Sequence, residues 1–135
     1  MPKILHFRSH RQGALDITAE IAAAISASDM QDGVAHLLLQ HTSASLTIQE
    51  NADPDVLADL NDFLAGLAPE NKPYRHSAEG PDDMPAHLRS VLTATSLSIP
   101  VADGVMMLGI WQAIYLLEHR RQPHQRSIAI AFTPE

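Results

Sequence analysis

Residues 74–87 read Tyr-Arg-His-Ser-Ala-Glu-Gly-Pro-Asp-Asp-Met-Pro-Ala-His, with two histidines, a glutamate and two aspartates crowded around Gly80, Pro81 and Pro85. Surface turns are satisfied by Gly, Pro, Asn, Asp and Ser alone, so this density of titratable groups marks the edge of a polar site. Its natural chemistry is metal binding: imidazoles converging from separate elements hold a divalent ion and leave one position for water or substrate. His76, His87 and His41, which opens a polar strand further back, are the candidate ligands. Each histidine alone also fits an ordinary surface or core-edge position; their shared neighbourhood carries the metal reading. Glu79, Asp82 and Asp83 are candidate acceptors behind metal-bound imidazoles, general bases or ligands for a hard cation such as magnesium, with Asp82 and Asp83 reading first as capping groups at a helix N-terminus.

Two further polar groups accompany this stretch. Gln49, Glu50, Asn51 and Asp53 follow the strand that His41 opens, with Asp53 a helix cap and Asn51 open to a binding role. Gln112, Glu118 and Arg120 fall on one face of a later strand, which suggests an ion pair between Glu118 and Arg120 at its end. Arg120, Arg121 and Arg126, with His119 and His124, form the one basic cluster able to hold a small phosphate. Trp111 reads as core before it reads as a stacking platform.

Composition narrows the possibilities. The 135 residues carry a formal charge of −7, which opposes the phosphate attraction of nonspecific nucleic-acid binding. Cysteine is absent, so thiolate chemistry is excluded and any soft-metal site must use the eight histidines. No run of ~20 apolar residues suits a bilayer, and the N-terminus lacks a secretory pattern, so the expected location is the cytoplasm without membrane contact. One domain covering residues 1–135 is expected.

The elements that must position these residues follow from periodicity. Residues 3–8 and 15–18 suggest strands, and Thr18 caps a helix running to about residue 28. Residues 34–40 form an apolar run expected to be a central strand covered on both faces. From His41 the pattern alternates, with His41, Ser43, Ser45, Thr47 and Gln49 on one face and Ala44, Leu46 and Ile48 on the other. Asp53-Pro54 opens a second helix with Val56, Leu57, Leu60, Phe63, Leu64 and Leu67 on one stripe. The long loop 70–81 suggests function and leads to a third helix with Met84, Leu88, Val91 and Leu92 inward. Residues 96–101 and 105–108 make a hairpin about Ala102-Asp103-Gly104, and 111–119 and 127–132 are closing strands.

With these residues in hand, the chain resembles the YjbQ family of secondary thiamine-phosphate synthases. The resemblance rests on residues 41–54 (His-Thr-Ser-Ala-Ser-Leu-Thr-Ile-Gln-Glu-Asn-Ala-Asp-Pro), Glu79-Gly80, Asp82 through His87, Ser96 through Pro100, Gly109-Ile110-Trp111-Gln112 and Glu118-His119-Arg120. It implies an α+β single domain with a bent, mostly antiparallel sandwich or barrel-like core carrying about three helices, assembled as a homotrimer with sites near subunit boundaries. It also implies a divalent metal, zinc first and magnesium second, on His41, His76 and His87. Glu79, Glu118 and Arg120 would be catalytic, and Ser43, Asn51, Trp111, Gln112 and Arg126 would bind a small phosphorylated metabolite. The activity implied joins hydroxymethylpyrimidine diphosphate to thiazole phosphate with release of diphosphate. A metal-dependent hydrolase or lyase, or a non-enzymatic trimeric metal- or metabolite-binding protein, uses the same residues. Ile110 stands where the family pattern has Thr, and the Gln122-Pro123-His124-Gln125 turn lacks the family's glycines.

Overall fold

Alternating apolar positions produce most of the chain's strands, and a computed structural model describes residues 2–135. In chain order these are β1 (Lys3–Arg8), β2 (Gly13–Asp16), α1 (Thr18–Ala27), β3 (Gly33–Leu39), β4 (Ala44–Glu50), α2 (Pro54–Leu67), α3 (Asp83–Leu92), β5 (Ser96–Ala102), β6 (Val105–Met106), β7 (Gln112–Glu118) and β8 (Gln125–Pro134). Five strands form one antiparallel sheet in the order β1-β8-β3-β5-β6, and three form a second in the order β2-β7-β4. This is the expected α+β domain with three helices.

The core lies between the sheets. Ala35, Leu37, Ile128 and Ile130 of the larger sheet meet Leu46, Ile114 and Leu116 of the smaller one, and α1 adds Ile21 and Ile25. Leu46 also exchanges backbone hydrogen bonds with Ala94 just before β5, which ties the two sheets along one edge. At the β5–β6 turn Asp103 and Gly104 have φ of 51° and 76°, the left-handed pair that a two-residue hairpin needs. At Gly33, φ is 153° and a Cβ would stand 2.3 Å from the Thr133 oxygen, so β3 can enter beside β8 only with glycine there.

Several local expectations change. Thr18 is the first residue of α1 and not its cap; its hydroxyl donates to Asp16 and accepts from the Ile114 N–H, fastening the helix to β7. β3 is central but covered on one face only, since His36 and Leu38 are exposed and His36 bonds Ser98 and Thr133. β4 begins at Ala44, so His41 and Ser43 precede the strand. Asp53 caps α2 as expected, accepting from the Asp55 N–H at 2.9 Å. On that helix Leu64 is buried, but Phe63 and Leu67 are exposed.

The largest reversal is α3. Asp83, Pro85, Ala86, Arg89 and Ser90 are buried, while Val91 is 81% and Leu92 54% exposed. The underlying chain offers hydrogen-bond partners instead of an apolar floor: Ser90 donates to the Ala44 oxygen, and Thr93 reaches Ser45. A helix above such a surface gains more by burying polar groups that find partners than by burying leucines.

The sheets are also joined by charge. Glu118 at the end of β7 and Arg126 in β8 are 1% and 3% exposed and pair directly through the Arg126 Nε at 2.9 Å and Nη2 at 2.5 Å. The expected partner of Glu118, Arg120, offers only its backbone N–H, at 3.1 Å. Arg126→Met leaves a buried carboxylate without its cation and should lower the unfolding free energy by roughly 3–5 kcal/mol. Urea denaturation checks this, and a loss below about 1 kcal/mol would show that the pair does not hold the sheets.

Candidate functional site

Asp83 precedes His87 by four residues, and on α3 that spacing stacks both side chains on one face. His87 Nε2 lies 3.3 Å from Asp83 Oδ2. The loop between α2 and α3 brings His76 in, with its Nε2 2.5 Å from the same oxygen, and the two rings meet edge to face at 5.4 Å. All three ligand atoms lie within 4.8 Å of one another. Ligands bound tetrahedrally at about 2.05 Å stand about 3.3 Å apart, so the set is near the spacing of a metal centre.

Hydrogen bonding settles which atoms are available. The Thr42 carbonyl accepts from His87 Nδ1 at 2.7 Å; a carbonyl cannot donate, so Nδ1 carries the proton and a neutral His87 keeps its lone pair on Nε2. That lone pair faces a carboxylate oxygen. Two acceptors across 3.3 Å repel unless a cation or a proton lies between them. Two imidazoles and one carboxylate form the donor set of many catalytic zinc centres, so the residues fit such an ion.

Arg120 holds the far side of this carboxylate. Its Nη1 donates to Asp83 Oδ1 at 2.8 Å, its Nε to Asp82 Oδ2 at 3.1 Å, and its Nη2 to the Glu79 carbonyl at 2.9 Å. Burial pushes both aspartates up, but hydrogen bonds outweigh it and hold both below the usual carboxylate range. For Asp82 these come from the Arg121 N–H and from Arg120, and for Asp83 from His76 with Arg120 adding its charge. Asp82 occupies the N-cap position of α3 as expected, but neither aspartate makes a side-chain cap bond: Asp82 is spent on Arg120 and the Arg121 N–H, and Asp83 on Arg120 and the histidines. Glu79 is exposed, with a carboxylate oxygen 3.6 Å from His76 Nε2.

His41 stands outside this set. Its Nε2 accepts from the Ser127 N–H at 2.9 Å, and burial, followed by the Arg126 charge, lowers its pKa and favours the neutral ring that can accept. It shares a pocket of about 350 Å³ with Thr42, His87, Ser90 and Thr93. Ser43 accepts from Arg126 through its backbone and hydroxyl oxygens. Burial raises Glu118, but Arg126 and Ser9 outweigh this and keep it a carboxylate, which makes it a weak base.

Asn51, Trp111 and Gln112 gather elsewhere. Asn51 donates its N–H to the Trp111 oxygen, and Gln112 accepts from the Gly109 N–H. They sit where Glu50 pairs with Gln112, whereas Ser43 and Glu118 lie beyond the other end, where Ala44 pairs with Glu118. Six residues of strand separate the ends by about 20 Å, so one chain does not bring these groups to the histidines. Trp111 is 59% exposed and is not core.

The basic cluster is dispersed onto acids: Arg120 onto Asp82 and Asp83, Arg121 onto Glu70, and Arg126 onto Glu118. Asp83, read from the sequence first as a capping group and only second as a hard-cation ligand, joins the histidines here, and its spacing to His87 is the signal for it. His119, expected in the basic cluster, is instead buried with its Nε2 2.8 Å from the Ser45 hydroxyl, and Ser9, which nothing in residue type marks, donates to Glu118.

The family described as "UPF0047 protein YjbQ-like" matches residues 3–135. A UPF0047 protein of Synechocystis is 47% identical over 98% of this chain and 91% of its own, and the UPF0047 protein YjbQ of Salmonella typhimurium is 46% identical over 83% and 82%. Among solved structures, a conserved hypothetical protein of Thermus thermophilus superposes with a TM-score of 0.87 at 34% identity, covering 97% of this chain and 99% of that one. A YjbQ/UPF0047 protein of Clostridium acetobutylicum gives 0.86 at 33%, covering 98% and 99%.

The buried polar network makes stability depend on pH. Burial of the His119 ring, with the Arg89 charge next, lowers its pKa from 6.5 to about 4. A histidine held neutral in the fold lets the unfolded chain bind the extra proton, so its contribution is complete above about pH 6.5, falls with pH, and levels off below about 4. The total is roughly 3 kcal/mol. Urea unfolding at pH 7 and pH 5 should show the decline in the parent protein and a flatter profile in His119→Gln; equal slopes would remove His119 as the cause.

Proposed function

We propose, from the premise that this chain belongs to the UPF0047 YjbQ-like family, that it is a metal-dependent transferase whose divalent ion is held by His76, Asp83 and His87. The observation that carries the reading is the convergence of His87 Nε2 and His76 Nε2 on the same Asp83 oxygen, with all three ligand atoms within 4.8 Å of one another. Zinc suits this donor set best, and magnesium is the alternative where water completes the shell.

The reaction proposed is the joining of hydroxymethylpyrimidine diphosphate and thiazole phosphate. The thiazole ring nitrogen forms a C–N bond to the pyrimidine methylene carbon as the C–O bond to diphosphate breaks, and the electron pair leaves with diphosphate. A bound divalent ion supplies Lewis acidity that stabilises that leaving charge. Arg120 holds Asp83 in place from the side opposite the imidazoles, and His41 and Glu79 contact and orient the two substrates. A second reading, metal-assisted hydrolysis, is favoured by Glu79: an exposed carboxylate beside His76 is placed to take a proton from water.

The assembly proposed is a homotrimer. Met107, Ile110 and Trp111 are exposed near one end of the β4–β7 pair, and Val91 and Leu92 are exposed on α3. A head-to-tail interface pairs two different patches and closes a ring, and would carry one copy's Asn51, Trp111 and Gln112 toward the next copy's histidines.

Elemental analysis of the purified protein should find about one divalent ion per chain, and His76→Ala and Asp83→Asn should lose it. Stripping the ion should reduce thiamine-phosphate formation by about 100-fold, with recovery on reloading; stripped protein that works as fast as loaded protein sinks the transferase mechanism. Light scattering should give three times the chain mass, and a monomer at micromolar concentration excludes the shared site.

A further inference from the structure

Arg89 lies on the buried face of α3, only 4% exposed, and no ion pair among the described residues includes it. Its Nη1 donates to the Asn61 side-chain oxygen on α2 at 2.7 Å, and its Nε has no partner. Glu70, whose charge it feels, is taken by Arg121 at 2.6 Å. A buried guanidinium facing a neutral amide retains most of the cost of leaving water, since neither a counter-charge nor a full set of acceptors repays it.

Beside it is a cavity of about 30 Å³, lined among others by Gly13, Leu57, Leu60, Asn61, Leu64 and His119. That is room for one small ion or a water or two. Asn61, its oxygen used by Arg89, has only N–H groups left to offer. The cavity shares Gly13, Ala14, Leu57, Asn61 and Glu118 with a wider groove of about 480 Å³ along β2 and α2, where His10 and Arg11 also stand. The groove therefore adjoins the cavity that Arg89 lines, and basic residues flank it.

We propose that the cavity between α2, α3 and β2 binds a monovalent anion, a halide or the carboxylate of a short acid, with Arg89 as its counter-charge. The site is separate from the His76–Asp83–His87 cluster and does not depend on its chemistry. An anion of this charge neutralises Arg89 and accepts from its Nε, whereas a water molecule satisfies the hydrogen bond and leaves the charge.

Crystals of the full chain soaked in sodium bromide should show an anomalous peak within hydrogen-bond distance of Arg89 Nε. Displacement of that peak by acetate identifies the carboxylate as the occupant, and its persistence identifies a halide. In solution, chloride at tenfold over half-saturation should raise the Tm by on the order of 4 °C. Asn61→Asp supplies an internal carboxylate and should abolish that response; comparison at equal salt removes general salt effects. Should Asn61→Asp fail to fold, the bromide map decides alone. A water in place of bromide, or an Asn61→Asp protein with the parent's chloride response, overturns the proposal.

Discussion

The buried pair of Glu118 and Arg126 is the constraint from which the remaining polar architecture follows. It joins β7 of the smaller sheet to β8 of the larger one, and a charge pair removed from water survives only if its other lone pairs and protons are also satisfied. Ser9 donates to Glu118, and Ser43 accepts from Arg126, so the pair recruits the segment after β1 and the segment before β4. With Glu118 fixed at the end of β7, the next two residues leave in set directions. His119 enters the buried space beside Ser45, and Arg120, past the end of the strand, turns to α3 and grips Asp82 and Asp83. Three consecutive side chains thus set the position of the helix that carries two of the candidate metal ligands, Asp83 and His87.

α3 is inverted relative to a usual surface helix because of what lies under it. The chain around Ala44 and Ser45 presents a carbonyl and a hydroxyl, and Ser90 and Thr93 answer them. Asp83 and Arg89 go inward on the same side, each with a partner to reach. The cost falls on the outer face, where Val91 and Leu92 stand in water unless another surface covers them. The same polar burial that orients His87 therefore leaves Val91 and Leu92 exposed on the outer face of the helix.

How much of this could be read from the sequence follows from which signals are local. Strand and helix order, the Asp53 cap and the Asp103-Gly104 hairpin all depend on residues near each other in the chain, and they came through. His76 and His87 were recognisable because they cluster in a short polar stretch. The inward face of α3 was misread because periodicity assumes that apolar residues face in, and here the floor is polar. Asp83 was misread for a related reason: a carboxylate at a helix start has a ready local explanation, and only Arg120, 37 residues away, shows that it is held for something else. His41 was legible as a polar residue near the site, but not that a distant Ser127 amide occupies its Nε2.

The charge around the cluster bears on which ligands it can take. Glu79, Asp82 and Asp83 contribute three negative charges and Arg120 one positive, in a chain that is itself acidic. A phosphorylated metabolite approaching that surface would meet like charge, and Arg120 and Arg121 are already paired with carboxylates. A divalent ion held by His76, Asp83 and His87 would cancel the local excess and supply a cation for phosphate oxygens. On the metal reading, an ion bound first would offset this excess, because Arg120 and Arg121 are committed to carboxylates.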